Sequence, residues 1–237
     1  VETDEDGNRA KAYLYCLEVR CPETGWLIPL SPSWVISKNK KVVAKLSPNH
    51  KEKCFDIDVF SDQSELELDV ADKGTIQNGN LVYQLDGKTY RTSLKTIRGD
   101  YKDDGVTQNS LRKWSKSDIK PRSEDVFQER LYAIHWIKAE TINKSRQETY
   151  FTGVTLADLE REVKVEGIVA KNFQNWQKKG FLPDMSIEDG HETTRLGRER
   201  GWKYWHQLFN PRHLLLNAIY KEIVSEQPEQ AYFNILL

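Results

Sequence analysis

The chain has 237 residues, 38% of them hydrophobic and 30% charged, with a net charge of -1, a mean hydropathy of -0.70 and an isoelectric point near 6.6. That length buries one large core or two small ones, and no apolar run approaches the roughly 18–20 residues of a membrane-spanning helix, which argues against a membrane protein. Near-neutral charge excludes a global basic field, so any nucleic-acid surface must be local. Cys16, Cys21 and Cys54 form an odd set without CxxC spacing, which points to a reducing cytoplasmic setting.

Residues 1–11 are polar and acidic and are expected to fray. Residues 12–154 are expected to form a β-rich domain. AYLYCLEVR, SWVIS, KVVAKL, CFDIDVF, ELELDV, LVYQL and KTYRTSL are short runs of strand formers separated by Pro, Asn, Gly or Asp. Asn78-Gly79 and Asp86-Gly87, flanked by alternating residues, predict tight turns in a small meander. Residues 100–125 lack a period and are expected to be a long loop. QERLYAIHWIKAE alternates as a further strand, and INKSRQE connects it hairpin-fashion to TYFTGV.

At Thr155 the period changes. Thr155 with Asp158 resembles a capping box, and Leu156, Leu159, Val163, Val169, Phe173 and Trp176 mark one face of a helix over 155–178 that Gly180 stops. Gly167 weakens its middle by up to ~1 kcal/mol. Residues 183–201 carry no period and are expected to be a loop. Asn210 as N-cap and Pro211 at the first helical position open a second helix to about Ser225, with Leu215, Ala218, Ile219 and Ile223 as its apolar stripe. The fold class expected is α+β, an antiparallel β-rich part followed by two main helices over 155–237. The sequence starts VETDEDGNRA without a signal-peptide pattern, has Met185 as its one methionine and closes on the apolar run AYFNILL; both ends read as points inside a longer protein.

No catalytic motif is present: GxSxG, HExxH, a P-loop and a GxGxxG between strand and helix are all missing. His50, His135, His191, His206 and His213 are scattered and read as surface or cap residues. The carboxylates show no apolar context that would mark an acid–base pair. Residues 195–205, RLGRERGWKYW, do set Arg195, Arg198, Arg200 and Lys203 among Trp202, Tyr204 and Trp205. Cations hold phosphates and aromatics stack on bases, so this pattern suits nucleic-acid contact, and its two glycines would permit close backbone approach. A second run, RKWSKSDIKPR, holds Arg112, Lys113 and Trp114 among five cations. The bland alternative for both is a solvated basic loop whose aromatics turn inward.

YCLEVRCPETGWLIPLSPSWVISK together with GWKYWHQLFNPRHLLL resembles the large adenine-specific DNA methylases that carry a zinc-ribbon-like insert, some of which occur in anti-phage defence systems. In that family a Cys-Pro-x-Cys-Gly knuckle and an "IPL" strand precede a lysine-bearing strand, a hairpin with the second knuckle, and a "W…LF(T/N)PRQLL" segment opening a helix. Here Cys21 matches the first cysteine, Thr24 stands at the second, and Tyr83 and Asp86 fall where the second pair would lie. One thiolate cannot build a tetrahedral zinc site, so the resemblance implies a degenerate ribbon without metal, its core filled by Trp26, Tyr83 and Leu85.

The resemblance further implies an accessory or target-recognition segment of an S-adenosylmethionine-dependent, adenine-specific (N6) DNA methyltransferase, in restriction-modification or defence. The cofactor and catalytic loops would lie outside the chain, and residues 155–237 would rejoin the methyltransferase core. No cofactor is expected within this segment. Its partners would be double-stranded DNA and the remainder of the methyltransferase. Arg195, Arg198, Arg200 and Lys203 would contact phosphates, with Arg112 and Lys113 as further cations, while Trp202, Trp205 and Trp114 would stack or pack. Phe209-Asn210-Pro211-Arg212 fits a helix start better than a catalytic Asp/Asn-Pro-Pro-Tyr/Phe loop. The competing expectation is a structural or protein-interaction module without DNA contact.

Overall fold

The computed structural model describes residues 2–226, so the expectation for AYFNILL lies outside the described residues. The chain is α+β and divides into two compact units, residues 1–110 with 123–155 and residues 111–122 with 156–237.

The first unit is built on a seven-stranded, mostly antiparallel sheet in which chain order and spatial order differ. Its strands are β1 (Arg9–Arg20), β2 (Leu27–Leu30), β3 (Val35–Ser37), β4 (Val42–Asn49) and β5 (Cys54–Phe60), completed by β11 (Phe127–Ile137) and β12 (Thr149–Thr152). The order across the sheet is β12-β11-β1-β2-β5-β4-β3. The longest pairing is β1 with β11, from Arg9 opposite Ile137 to Val19 opposite Phe127, with two shifts of register. Residues 2–8 do not fray: the Asp4 carboxylate accepts the Asn8 and Asp6 amides, and the Asn8 side chain accepts from the Ala139 amide.

A three-stranded meander, β6 (Ile76–Gln77), β7 (Asn80–Leu85) and β8 (Lys88–Ser93), covers one end of this core. Both turns expected from sequence form there, with positive φ at Asn78, Gly79, Asp86 and Gly87, the left-handed conformation of a two-residue hairpin turn. Asp104-Gly105 is the same signal. It joins β9 (Tyr101–Asp103) to β10 (Val106–Gln108) inside the region expected to be a loop.

ELELDV, expected as a strand, is instead the helix α1 (Glu65–Ala71). Ser64 accepts the Glu67 amide while the Glu67 carboxylate accepts the Ser64 amide. This reciprocal cap, with acidic residues in the first turn, outweighs the period-2 pattern of the two leucines. Leu68 and Ala71 then turn into the core and Leu66 stays open. A short helix, α2 (Leu94–Arg98), follows β8 and ends at left-handed Gly99.

The second unit holds α3 (Leu156–Lys178), α4 (Thr193–Arg200), a 3₁₀ turn at Trp205–Leu208 and α5 (Pro211–Glu226). Its core joins Val169, Phe173, Trp176, Leu182, Leu214 and Ala218, with Ile119 packed against it. As expected, the Asn210 side chain caps α5 by accepting the His213 amide. Residues 183–201 are not all loop. The polar TTRLGRER forms α4 without an apolar stripe, opening with the Thr194 amide on the Gly190 carbonyl and closing at left-handed Gly201. The expected apolar faces hold only in part: Leu156, Leu159 and Val163 on α3, and Ile219 and Ile223 on α5, are exposed.

Trp176→Ala should therefore destabilise the chain by about 3–5 kcal/mol through the cavity it leaves, whereas Val163→Ser should stay within about 0.5 kcal/mol of the parent. Denaturant midpoints at equal slope check both.

Candidate nucleic-acid interface

The two basic runs singled out in the sequence, far apart along the chain, pack together inside the second unit. The Trp114 amide donates to the Gly201 carbonyl at 2.9 Å, and the Lys113 ammonium donates to the Gly197 carbonyl at 2.8 Å. The Trp114 and Trp202 rings meet edge to face with centroids 6.5 Å apart. Arg112 lies over the Trp114 ring and Arg200 over the Trp202 ring, at 5.8 and 5.7 Å. Gly201 has φ +78°, and a Cβ there would stand 2.2 Å from the Arg112 carbonyl oxygen. The glycine's close approach is thus to the chain's own segment 111–122.

A carboxylate that the sequence reading passed over organises this contact. Asp118 is buried and accepts from the Arg112 and Arg122 guanidinium groups at 2.6 and 2.9 Å and from the Ser115 amide at 2.7 Å. Burial alone would raise its pKa, but Arg112, the Ser115 amide and Arg122 together hold it at about 2. Its being the sole acid among the five cations of residues 111–122 was the available signal.

Below it, the Gln207 side chain donates to the Ser115 carbonyl and accepts the Lys203 and Tyr204 amides. His206, expected at the surface or a cap, is fully buried, with Nε2 3.2 Å from the Asp118 carbonyl and the ring edge-on to Phe173. Burial pushes its pKa down, so the neutral ring is favoured. Tyr204, two residues before it, stacks on the ring, but Phe173 comes from α3 and is invisible to its local sequence.

The candidate residues differ in accessibility. Trp114 is buried as an anchor, while Trp202 and Trp205 are half-buried and Lys113 and Lys203 exposed. Arg195 pairs with Glu192 at 3.4 Å and Arg198 with Glu199 at 3.7 Å, both on α4 or its cap. Burial and the nearby Lys203 charge hold the Lys113 ammonium below the usual lysine range.

In the first unit, Cys21, Thr24, Tyr83 and Asp86, compared above with two metal-binding knuckles, come together only in part. The Thr24 and Tyr83 hydroxyls are 2.7 Å apart, Cys21 Sγ is 3.8 Å from the Thr92 hydroxyl, and Cys21, Trp26, Tyr83 and Leu85 share one core cluster. Asp86 stays outside, in its turn, beside His50. A thiol, a threonine and a phenol do not fit zinc, and among the described residues no group of three or more His, Cys, Asp or Glu side chains could hold a metal. A mostly apolar groove of about 680 Å³ lies between α1 and the β7–β8 hairpin, lined by residues including Trp34, Leu46, Val70 and Tyr83. No helix among the described residues is long and apolar enough to cross a membrane.

No protein-family model matches the chain, and no curated protein or solved structure is significantly similar to it.

Two measurements probe the packed segment. Because the Asp118 pKa is depressed in the fold, its stabilisation is present above the unfolded value of about 4 and is lost as pH falls toward 2, an effect of about 2 kcal/mol. Urea titrations should show that Asp118→Asn is less stable at pH 7 and lacks the parent's extra loss between pH 4 and 2. Gly201→Ala should lower the unfolding free energy by at least ~2 kcal/mol, read from the denaturant midpoint at equal slope, since a left-handed backbone and a clash with a carbonyl act together.

Proposed function

We propose that this chain is an accessory or target-recognition segment that contacts duplex DNA through its second unit. The observation that carries the reading is the packing of two basic, aromatic-bearing runs along each other, Arg112–Trp114 beside Gly197–Lys203. Charge partition favours it too. Residues 111–122 and 156–237 hold sixteen Lys and Arg against thirteen Asp and Glu, while the rest of the chain holds nineteen against twenty-three. The near-neutral total thus conceals a positive unit, as local phosphate contact requires.

The enzyme served is, on the resemblance described above, an S-adenosylmethionine-dependent adenine-specific (N6) DNA methyltransferase acting in restriction-modification or anti-phage defence. That part of the proposal rests on the motifs YCLEVRCPETGWLIPL and GWKYWHQLFNPRHLLL, with the catalytic and cofactor loops contributed from outside this chain. Such an enzyme must grip the duplex while it extrudes a base, and a recognition segment supplies that grip.

A second reading is a protein-docking module, favoured by the open apolar side chains Leu156, Leu159 and Val163 on α3 and Leu216, Ile219 and Ile223 on α5. Exposed stripes of this kind at helical spacing suit a partner surface.

A salt series on the chain with duplex DNA separates the two. The DNA reading expects log affinity to fall linearly with log salt, with a slope of roughly -0.9 per phosphate contacted. Absence of binding at low salt, with Arg198 and Arg200 intact, would overturn it in favour of docking.

A further inference from the structure

The meander of the first unit leaves a short stretch of strand edge uncovered. β7 pairs along its whole length with β8, but β6 covers it only at Asn80 and Leu81, opposite Gln77 and Ile76. One residue further on, the Val82 amide still donates to the Thr75 carbonyl at 2.8 Å. In an antiparallel ladder every second residue turns its N–H and C=O to the same side, so those of Gln84 project beside those of Val82. In the register of β6, the residue opposite Gln84 is Lys73, but the chain is bonded elsewhere by then. The Lys73 amide donates to the Val70 carbonyl at the end of α1, and the Gly74 amide to the Pro32 carbonyl, both at 3.2 Å. Gly74 permits that departure, because a Cβ there would stand 2.1 Å from the Ser31 carbonyl oxygen. Among the described residues no hydrogen bond reaches the Gln84 N–H or C=O from this side.

The uncovered edge borders the groove between α1 and the hairpin. Gln84 and Lys73 both line it, with Leu46, Phe55, Val70 and Tyr83, and its volume of about 680 Å³ is that of a ligand-binding pocket. Unpaired ladder groups beside an apolar cleft are what an added strand satisfies: its main chain pairs with the edge and its side chains fill the cleft. Successive side chains of a strand point to opposite faces. A residue paired with Gln84 therefore sends both its neighbours to the face of β7 that carries Tyr83, whose ring meets Phe55 at 6.0 Å. Charge narrows the choice of segment. Glu67 at the groove is held by Lys45 at 2.9 Å, whereas Lys73 is exposed and in no ion pair among the described residues. A complementary segment carries a carboxylate.

We propose that the β7 edge at Gln84 is a docking site for an extended segment of a partner protein, which continues the line of β6 along β7. The segment pairs its main chain with Gln84, places large apolar side chains in the groove and sets an acidic side chain beside Lys73. The inference is independent of the DNA reading, which concerns the other unit.

Hydrogen exchange followed by NMR on the full chain reads the edge directly. The Tyr83 and Leu85 amides, which face β8 by the same alternation, should exchange at least ~tenfold more slowly than the Gln84 amide in the free protein. Three blocked pentapeptides are then titrated: Asp-Phe-Val-Phe-Asp, its counterpart Lys-Phe-Val-Phe-Lys, and the first with its Val nitrogen methylated. The acidic peptide should bind with a Kd below about 1 mM and slow exchange at Gln84 by at least ~tenfold. Methylation, which removes the N–H donated to the Gln84 carbonyl, should weaken binding at least ~tenfold, and the lysine counterpart should bind at least ~fivefold more weakly. Gln84→Pro, which removes the edge donor, and Val70→Asp, which charges the groove wall at an exposed position, should each cost about tenfold. Val106→Asp, equally exposed on β10, should change binding less than about twofold, and urea denaturation confirms that the variants fold. Equal binding of the methylated peptide would overturn strand addition. So would a Gln84 amide already protected in the free chain, unchanged binding by the folded Gln84→Pro variant, or no binding of any peptide at about 1 mM. Equal or tighter binding of the lysine counterpart would overturn the acidic partner.

Discussion

A buried carboxylate must find positive and N–H partners or carry a large desolvation cost, and Asp118 meets that requirement with Arg112, Arg122 and the Ser115 amide. The rest of the second unit depends on this arrangement. Residues 111–122 lie in sequence between β10 and β11, both strands of the first unit, yet they belong to the helical unit. Once Asp118 has closed the segment on itself, its backbone offers the Ser115 and Asp118 carbonyls to Gln207 and His206 and the Trp114 amide to Gly201. The 3₁₀ turn, the C-terminus of α4 and the segment thus share one network of polar contacts laid over the Phe173–Trp176 core. Gly201 permits this approach because a side chain at its place would overlap the Arg112 carbonyl.

The same network sorts the cations. A sequence with 35 basic and 36 acidic residues offers nearly every arginine a carboxylate, and folding decides which pairs form. Exposed pairs such as Arg198–Glu199 contribute little to stability, but they lower the local field that a phosphate would meet. Arg112 was counted in the sequence among cations available to DNA; the fold gives its guanidinium to Asp118 and to the face of Trp114. Lys113 and Lys203, at the edge of the packed runs, stay exposed, and among the described residues no ion pair involves them.

Much of the fold was legible because its signals are local. Asn-Gly and Asp-Gly tolerate the left-handed backbone that a two-residue hairpin needs, so both meander turns were readable, and Asp104-Gly105 would have been by the same rule. Asn210-Pro211 marked a helix start for equally local reasons, a side-chain acceptor followed by a residue that needs no donor partner. ELELDV misled because its alternating leucines outweighed the Ser64–Glu67 capping box three residues apart. The helix α4 gave no periodic signal, since a single leucine among charged residues makes no stripe. The two basic, aromatic runs were visible one by one, and Trp26, Tyr83 and Leu85 were recognisable as core residues.

By itself the sequence determined the α+β class, the change of period near residue 155, the tight turns, the cap of the last helix and the two local concentrations of cations with tryptophan. Each is a property of a few neighbouring residues and their backbone preferences. Only the tertiary structure decided that residues 111–122 join the helical unit, that His206 and Trp114 are buried, that the first turns of α3 keep their leucines open, and that Arg112 is taken up by Asp118. These outcomes depend on which distant groups desolvate one another, and burial and charge pairing are set by the whole packed surface around a side chain rather than by its neighbours in the chain.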